Sequence, residues 1–302
     1  MTAAYGLMAP WVFVLAPLVT LLLVSRPSTR REWIALLVTV PLLVLSLASV
    51  GGLFQQFVRA SGAMLSGAFV ALMLSRPGPV FSRAVAATGI AGVAILLVGR
   101  YFGFGWPEVQ AAAARETATF FSGQAAAAAA QGAAGETARQ LFTELAQRAE
   151  SVAALFPAIL VLAAIAGLAL AWRLYEELAS RPVPWTAGSF GAFRFGDQVV
   201  WVPVLALAAL VFPVARMPGG LSLTIAAQNV LLVSVVLYAM RGLAVFWTVA
   251  RAAPRAIVLA LTLVAVFLSP FAVSGLALLG LADSWVDFRR RVAPPTTGGL
   301  DP

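Results

Sequence analysis

The sequence predicts an all-α fold: a polytopic transmembrane helical bundle with about eight membrane-spanning helices and an outer amphipathic helical loop. Three observations predict it. Hydrophobic residues make up 61% of the chain and the mean hydropathy is +0.94, where soluble domains are roughly 45–50% apolar. Charged residues amount to 11% of a chain of 302 residues, too few to cover its surface in water when soluble chains carry roughly 25%. Finally, apolar stretches approaching the ~20 residues that cross a hydrocarbon core recur along the chain.

In order, these stretches run Gly6–Val24, Ile34–Phe54, Phe57–Ser75, Ala84–Gly99, Val152–Trp172, Val199–Ala215, Leu221–Val249 and Ala256–Ala282. The third is rich in Gly, Ser and Ala. Residues 1–25 carry no charged side chain, and Arg26, Arg30 and Arg31 follow the first apolar run. A cleaved signal peptide places its positive charge first, so this reads as a retained helix with its N-terminus outside.

Every positive side chain is Arg, and the net charge is +8. No basic run is interleaved with aromatics, so nucleic acid is not an expected partner. The arginines gather in alternate connections. Arg26, Arg30, Arg31, Arg76, Arg83, Arg173, Arg181, Arg194, Arg251 and Arg255 fall on one side, against Arg59 and Arg216 in the short loops of the other. The first side is then cytoplasmic, and the expected location is the bacterial inner membrane, in a multi-pass arrangement. The C-terminal Arg289, Arg290 and Arg291 run against this if eight crossings leave the tail outside, unless Asp283 and Asp287 offset them. Either the eighth stretch is one kinked span with the tail outside, or Ser269-Pro270 divides it into two arms and returns the tail to the cytoplasm.

Residues 1–292 read as one transmembrane domain and 293–302, with Pro294, Pro295, Gly298 and Gly299, as a disordered tail. The outer loop 100–151 is Ala-rich and predicts two amphipathic helices separated by Gly132 and Gly135, with Leu141, Leu145 and Ala149 on one face and Glu144 paired to Arg148. In the loop 173–198, Arg181-Pro182-Val183-Pro184 ends a helix. The aromatic segment Trp185–Phe195 should lie in the interface.

The chain has no Cys and no His. That removes Cys- or His-based zinc sites, Ser–His and Cys–His catalysis and His-ligated haem. With no nucleotide-binding or metalloprotease motif either, the expectation is a non-enzyme with no cofactor and no metal. Candidate binding residues lie in the seventh stretch, where Gln228, Asn229, Ser234, Tyr238 and Arg241 place polar groups at membrane depth. Hydrogen bonding between helices would account for Gln228 and Asn229, and Arg241 can snorkel to the interface. Gln55, Gln56 and Arg59 form a polar knot between the second and third stretches, either a plain outer loop or the mouth of a pocket. Ala63, Gly67 and Ala71, and likewise Ala84, Thr88 and Gly92, repeat at four and suit close helix packing.

The most specific pattern is C-terminal. Gly280, Asp283, Asp287, Phe288 and Arg289 place two carboxylates at i,i+4, with Asp287 able to pair with Arg290 or Arg291 and with Trp285 and Phe288 as interfacial anchors. This motif resembles the Gly-x-x-Asp-x-x-x-Asp-Phe-Arg ending of the YybS-like bacterial membrane proteins, a family of unknown function. Asn229, Tyr238 and Arg241-Gly242-Leu243-Ala244-Val245 resemble that family's Asn, Tyr and Gln-Gly-Leu-Ala-Val segment, with Arg241 in place of Gln. The family is in turn distantly similar to substrate-binding membrane subunits of energy-coupling-factor transporters. The resemblance implies a pocket opening outward and, as partners beyond the lipid bilayer, other membrane subunits or an ATPase. A structural protein of the cell envelope is the alternative.

Overall fold

Hydrocarbon cannot hydrogen-bond a backbone, so a chain this apolar must satisfy its peptide groups within helices. The computed structural model describes residues 2–48, 52–103, 105–183, 188–212, 223–252 and 269–288, and among them the regular structure is entirely helical. The helices are α1 (Thr2–Val24), α2 (Arg30–Ala48), α3 (Leu53–Ser75), α4 (Val80–Phe102), α5 (Trp106–Ala129), α6 (Glu136–Gln147), α7 (Ala149–Ala154), α8 (Phe156–Leu178), α9 (Trp201–Val211), α10 (Leu223–Ala252) and α11 (Ser269–Val286). By length and composition α2, α3, α4, α8 and α10 can each cross a membrane, which makes five among the described residues rather than eight. Apolar helices of Trp11–Val24, Asp197–Val211 and Phe271–Val286 are shorter.

The boundaries differ from the apolar stretches wherever a break interrupts an apolar run. Within the second stretch α2 is described as far as Ala48, and Phe54 belongs to α3. The fifth is divided at Leu155 into α7 and α8, since Pro157 has no N–H to donate. The Gly/Ser-rich third stretch forms a full helix. Of the eighth, residues 256–268 lie outside the described residues, and so does the segment on which the Ser269-Pro270 break would be judged; α11 is described from Ser269.

The described chain gathers into two compact units. The first holds residues 1–187 and 215–229, the second 188–214 and 230–302. In the first, α1 packs against α2, α3 and α8, while α4 packs on α3 and α8. From Val12 to Leu22, α1 buries Phe13, Leu18, Leu21 and Leu22 against Phe69, Met73, Leu168 and Trp172. Helix contact is close because Gly167 lies on the Phe13 backbone and Gly62 on Val12, where a Cβ would collide. The outer sides of α2 and α4 leave Leu37, Val44, Leu45, Val93, Leu96 and Leu97 exposed, as expected of surfaces solvated by lipid.

The loop 100–151 folds as the predicted pair of helices, with the turn at Gly132 in the left-handed region (φ 63°) and Gly135 against the Ala128 carbonyl. Two details differ. Phe142 stacks on Phe121 while Leu141 stays exposed. The ion pair on α6 is Glu136–Arg139 at 2.7 Å, because Arg148 has left helical geometry at the C-cap and is not placed as the partner the sequence suggested for Glu144.

Two carboxylates tie this unit together. Glu32 is 1% exposed, yet it meets donors on every side. Its Oε2 accepts from the Ser28 and Thr29 N–H groups (2.8 and 2.7 Å) and from the Thr29 hydroxyl, forming a capping box at the start of α2. Its Oε1 accepts from the Ser180 N–H and hydroxyl (2.8 and 3.0 Å), just beyond α8. The second carboxylate, Glu116 of α5, lies against Gly52 at the start of α3 and bonds to Gln55 of the polar knot. Burial raises its pKa, and the Gln55 hydrogen bond opposes that only in part. Arg59 of the same knot donates to the Leu47 carbonyl at 3.4 Å.

Replacing Glu32 by Gln turns one acceptor oxygen into a donor that faces N–H groups. The expected loss is about 2–3 kcal/mol of stability, read as a lower midpoint of thermal unfolding in detergent. For Glu116 the folded-state pKa lies above the unfolded one. The favourable contribution of protonating it is therefore fully present below the ordinary Glu value of 4.5 and is lost as pH rises through the raised folded value. Stability should accordingly rise on acidification from neutral pH, and Glu116→Gln should remove that part of the pH dependence of the unfolding midpoint.

Candidate functional site

Of the polar residues predicted in the seventh stretch, the structure brings Tyr238 and Arg241 together and places the other three elsewhere. Gln228 is exposed. Ser234 is buried but donates to the Val230 carbonyl of its own helix. Asn229 belongs to the first unit, at the α7–α8 break. Its Nδ2 donates to the Ala154 carbonyl (2.7 Å), and its Oδ1 accepts from the Ala158 N–H (2.8 Å). Those are the two groups that an unbroken helix would have bonded to each other, so the amide repairs the backbone. The remaining Nδ2 hydrogen goes to Ile225 O.

Tyr238 and Arg241 belong to the second unit. There α10 and α11 meet at Gly242 and Gly280, so closely that a Cβ on either would overlap the other helix's backbone. This contact explains the two glycines of the C-terminal patterns. It also brings Asp283 beside Arg241. The guanidinium does not snorkel, as the sequence suggested; it is 0% exposed. Its Nε donates to Asp283 Oδ2 at 3.0 Å and its Nη2 to the Asp283 carbonyl at 3.2 Å. Nη1 donates to the Phe195 carbonyl at 3.2 Å, and Nη2 also reaches Asp197 Oδ1 at 3.1 Å.

The aromatic loop completes the arrangement. The Phe195 ring lies over the guanidinium at 5.3 Å and edge-on to Tyr238 at 5.1 Å, a cation–π contact strengthened by the absence of water. Gly191 approaches the Thr248 hydroxyl, holding the loop along α10. Tyr238 Oη and Ser284 Oγ are buried and within reach of each other, and neither makes a well-aligned hydrogen bond among the described residues.

At the end of α11, Asp287 adopts a left-handed conformation (φ 45°) that Asp tolerates and pairs with Arg194 at 3.3 Å. That partner comes from the aromatic loop and is additional to the Arg290 or Arg291 suggested by the sequence. Those two and Arg289 lie outside the described residues. Trp285 is exposed and Phe288 half-buried. The Arg194–Asp287 pair joins the end of α11 to the aromatic loop.

A family model described as predicted membrane protein (DUF2232) matches residues 2–284. The chain belongs to the DUF2232 family. No curated protein and no solved structure matches it. The DUF2232 match takes in Arg241, Asp197 and Asp283 and stops short of Asp287.

Sequence reasoning missed Arg194, Phe195 and Asp197 as partners. One signal was available. An Arg at membrane depth requires a carboxylate, and the chain has four aspartates, of which Asp197 follows the aromatic segment. Among the described residues no group of acidic side chains is placed to hold a metal ion.

Arg241→Gln leaves the Asp283 carboxylate buried without its cation. It should cost about 3–5 kcal/mol, and Asp283→Asn in the same chain should recover much of that in a double-mutant cycle of unfolding midpoints. The chain has no cysteine of its own. A Cys introduced at Thr296 should therefore react with a membrane-impermeant maleimide from the same side of the membrane as one at Ser189.

Proposed function

We propose that this DUF2232 protein is a transporter-like, substrate-binding membrane subunit of the bacterial cytoplasmic membrane. The observation that carries this reading is Arg241, completely buried in a helix apolar enough to span a bilayer and held by two carboxylates and two backbone carbonyls. Charge at that depth is costly, and where it persists it commonly marks a substrate or ion path. The similarity of the C-terminal motif to the YybS-like proteins, and through them to energy-coupling-factor subunits, points the same way. The chain carries no nucleotide-binding motif, so further membrane subunits or an ATPase would supply the energy, and no catalytic role is assigned to it.

A structural role in the envelope is the second reading. It is favoured by Asn229, whose amide is used up in repairing the α7–α8 break and so has nothing left for a ligand.

Purification in native lipid, followed by mass spectrometry of bound small molecules and accompanying subunits, separates the two. Transport predicts a retained small molecule, an ATPase, or both. Recovery of neither supports the scaffold.

A further inference from the structure

We propose that Arg241, Tyr238 and Ser284 form a site for a small anion bearing a carboxylate or phosphate, and that Asp197 occupies it as an internal stand-in until the ligand arrives. This rests on the substrate-binding reading above and names the class of substrate.

The two carboxylates on Arg241 are held very differently. Asp283 belongs to α11, is 1% exposed, and grips the guanidinium with both side chain and backbone. Asp197 is 56% exposed and sits on a one-turn 3-10 element behind Gly196, where a Cβ would meet nothing within 4 Å. Its carboxylate is already largely hydrated, so leaving Arg241 takes little desolvation energy away from it. The guanidinium is fully buried and cannot be left without an acceptor at Nη2. A ligand anion restores that pairing with the formal charge unchanged.

The groups around this seat are suited to an anion. Tyr238 is 4% exposed, and its hydroxyl and that of Ser284 lack well-aligned partners among the described residues. Buried hydroxyls in that condition call for an occupant. Both can donate to an anion paired with the Nη2 hydrogen, and hydrogen bonds to a charged acceptor are stronger than those between neutral groups. A cation at the same place would face the Arg241 charge. Phe195 keeps its carbonyl on Nη1 and its ring over the guanidinium, so only the Asp197 side chain need turn away for a ligand to take its place.

The test uses the full chain purified in maltoside detergent and titrated with succinate, inorganic phosphate or detergent-dispersed phosphatidylglycerol, with binding read by calorimetry. Asp197→Ala empties the seat at an exposed position. It should bind at least one probe at least tenfold more tightly than the unsubstituted chain, and the preferred probe identifies a free carboxylate, a free phosphate or a lipid headgroup as the source. Tyr238→Phe added to Asp197→Ala removes one donor and should weaken that binding at least threefold. Saturable binding of no probe to Asp197→Ala, affinity no better than that of the unsubstituted chain, or an unchanged affinity in the double variant would each overturn the proposal. If a neutral or cationic molecule is retained in native lipid while these titrations fail, the anion assignment falls and the transport reading stands. If nothing is retained either, both fall.

Discussion

The guanidinium of Arg241 has no exposed surface, and the arrangement of the second unit follows from what that requires. A buried cation is tolerated only where acceptors surround it. Here they come from α11, through Asp283, and from the aromatic loop, through Phe195 and Asp197. To deliver Asp283, α11 must lie close to α10, and the Gly242–Gly280 contact permits that. To deliver Phe195 and Asp197, the loop must run along α10, where Gly191 and Thr248 hold it. The charge, the two glycines and the loop are one structural solution, in which the loss of any member leaves a polar group stranded at low dielectric.

Among its described residues, the first unit answers the same constraint with hydrogen bonds to backbone groups instead of a buried ion pair. Where Pro157 interrupts the helical ladder, Asn229 takes both freed backbone groups. Where α2 begins and α8 ends, Glu32 gathers N–H and hydroxyl donors from both chain segments onto one carboxylate. Glu116 lies at the start of α3, against Gly52, and is hydrogen-bonded to the Gln55 side chain. Polar residues are few in this chain, and Asn229 and Glu32 are placed at points where helical hydrogen bonding runs out. This distinguishes Asn229 from Arg241. The first repairs a backbone and is saturated by it, while the second is surrounded by groups of which one, Asp197, is half in water.

Membership of the DUF2232 family gives the chain a place among predicted membrane proteins and leaves its chemistry to be argued from residues. Much of the architecture is legible in the sequence. The paired outer helices and their glycine turn follow from Ala-rich composition and from Gly132, whose positive φ only a residue without Cβ adopts freely. The Thr29-x-x-Glu32 capping box can be read directly, although its second function, holding Ser180, cannot. Helix ends were less legible, because a hydropathy pattern runs smoothly across Leu155 although the helix does not.

By itself the sequence determined that the protein is helical and lies in a membrane. Those properties depend on composition and on local hydrogen bonding, and both are written along the chain. It also marked which residues are anomalous, Arg241 and the Asp283–Asp287 pair among them. Only the tertiary structure decided what each anomaly touches. Arg241 meets Asp283 across 42 positions and Asp197 across 44, and Arg194 meets Asp287 across 93. No helical periodicity relates positions so far apart. Their pairing depends on how closely two helices can approach, which two glycines and the loop between Gly188 and Val200 determine.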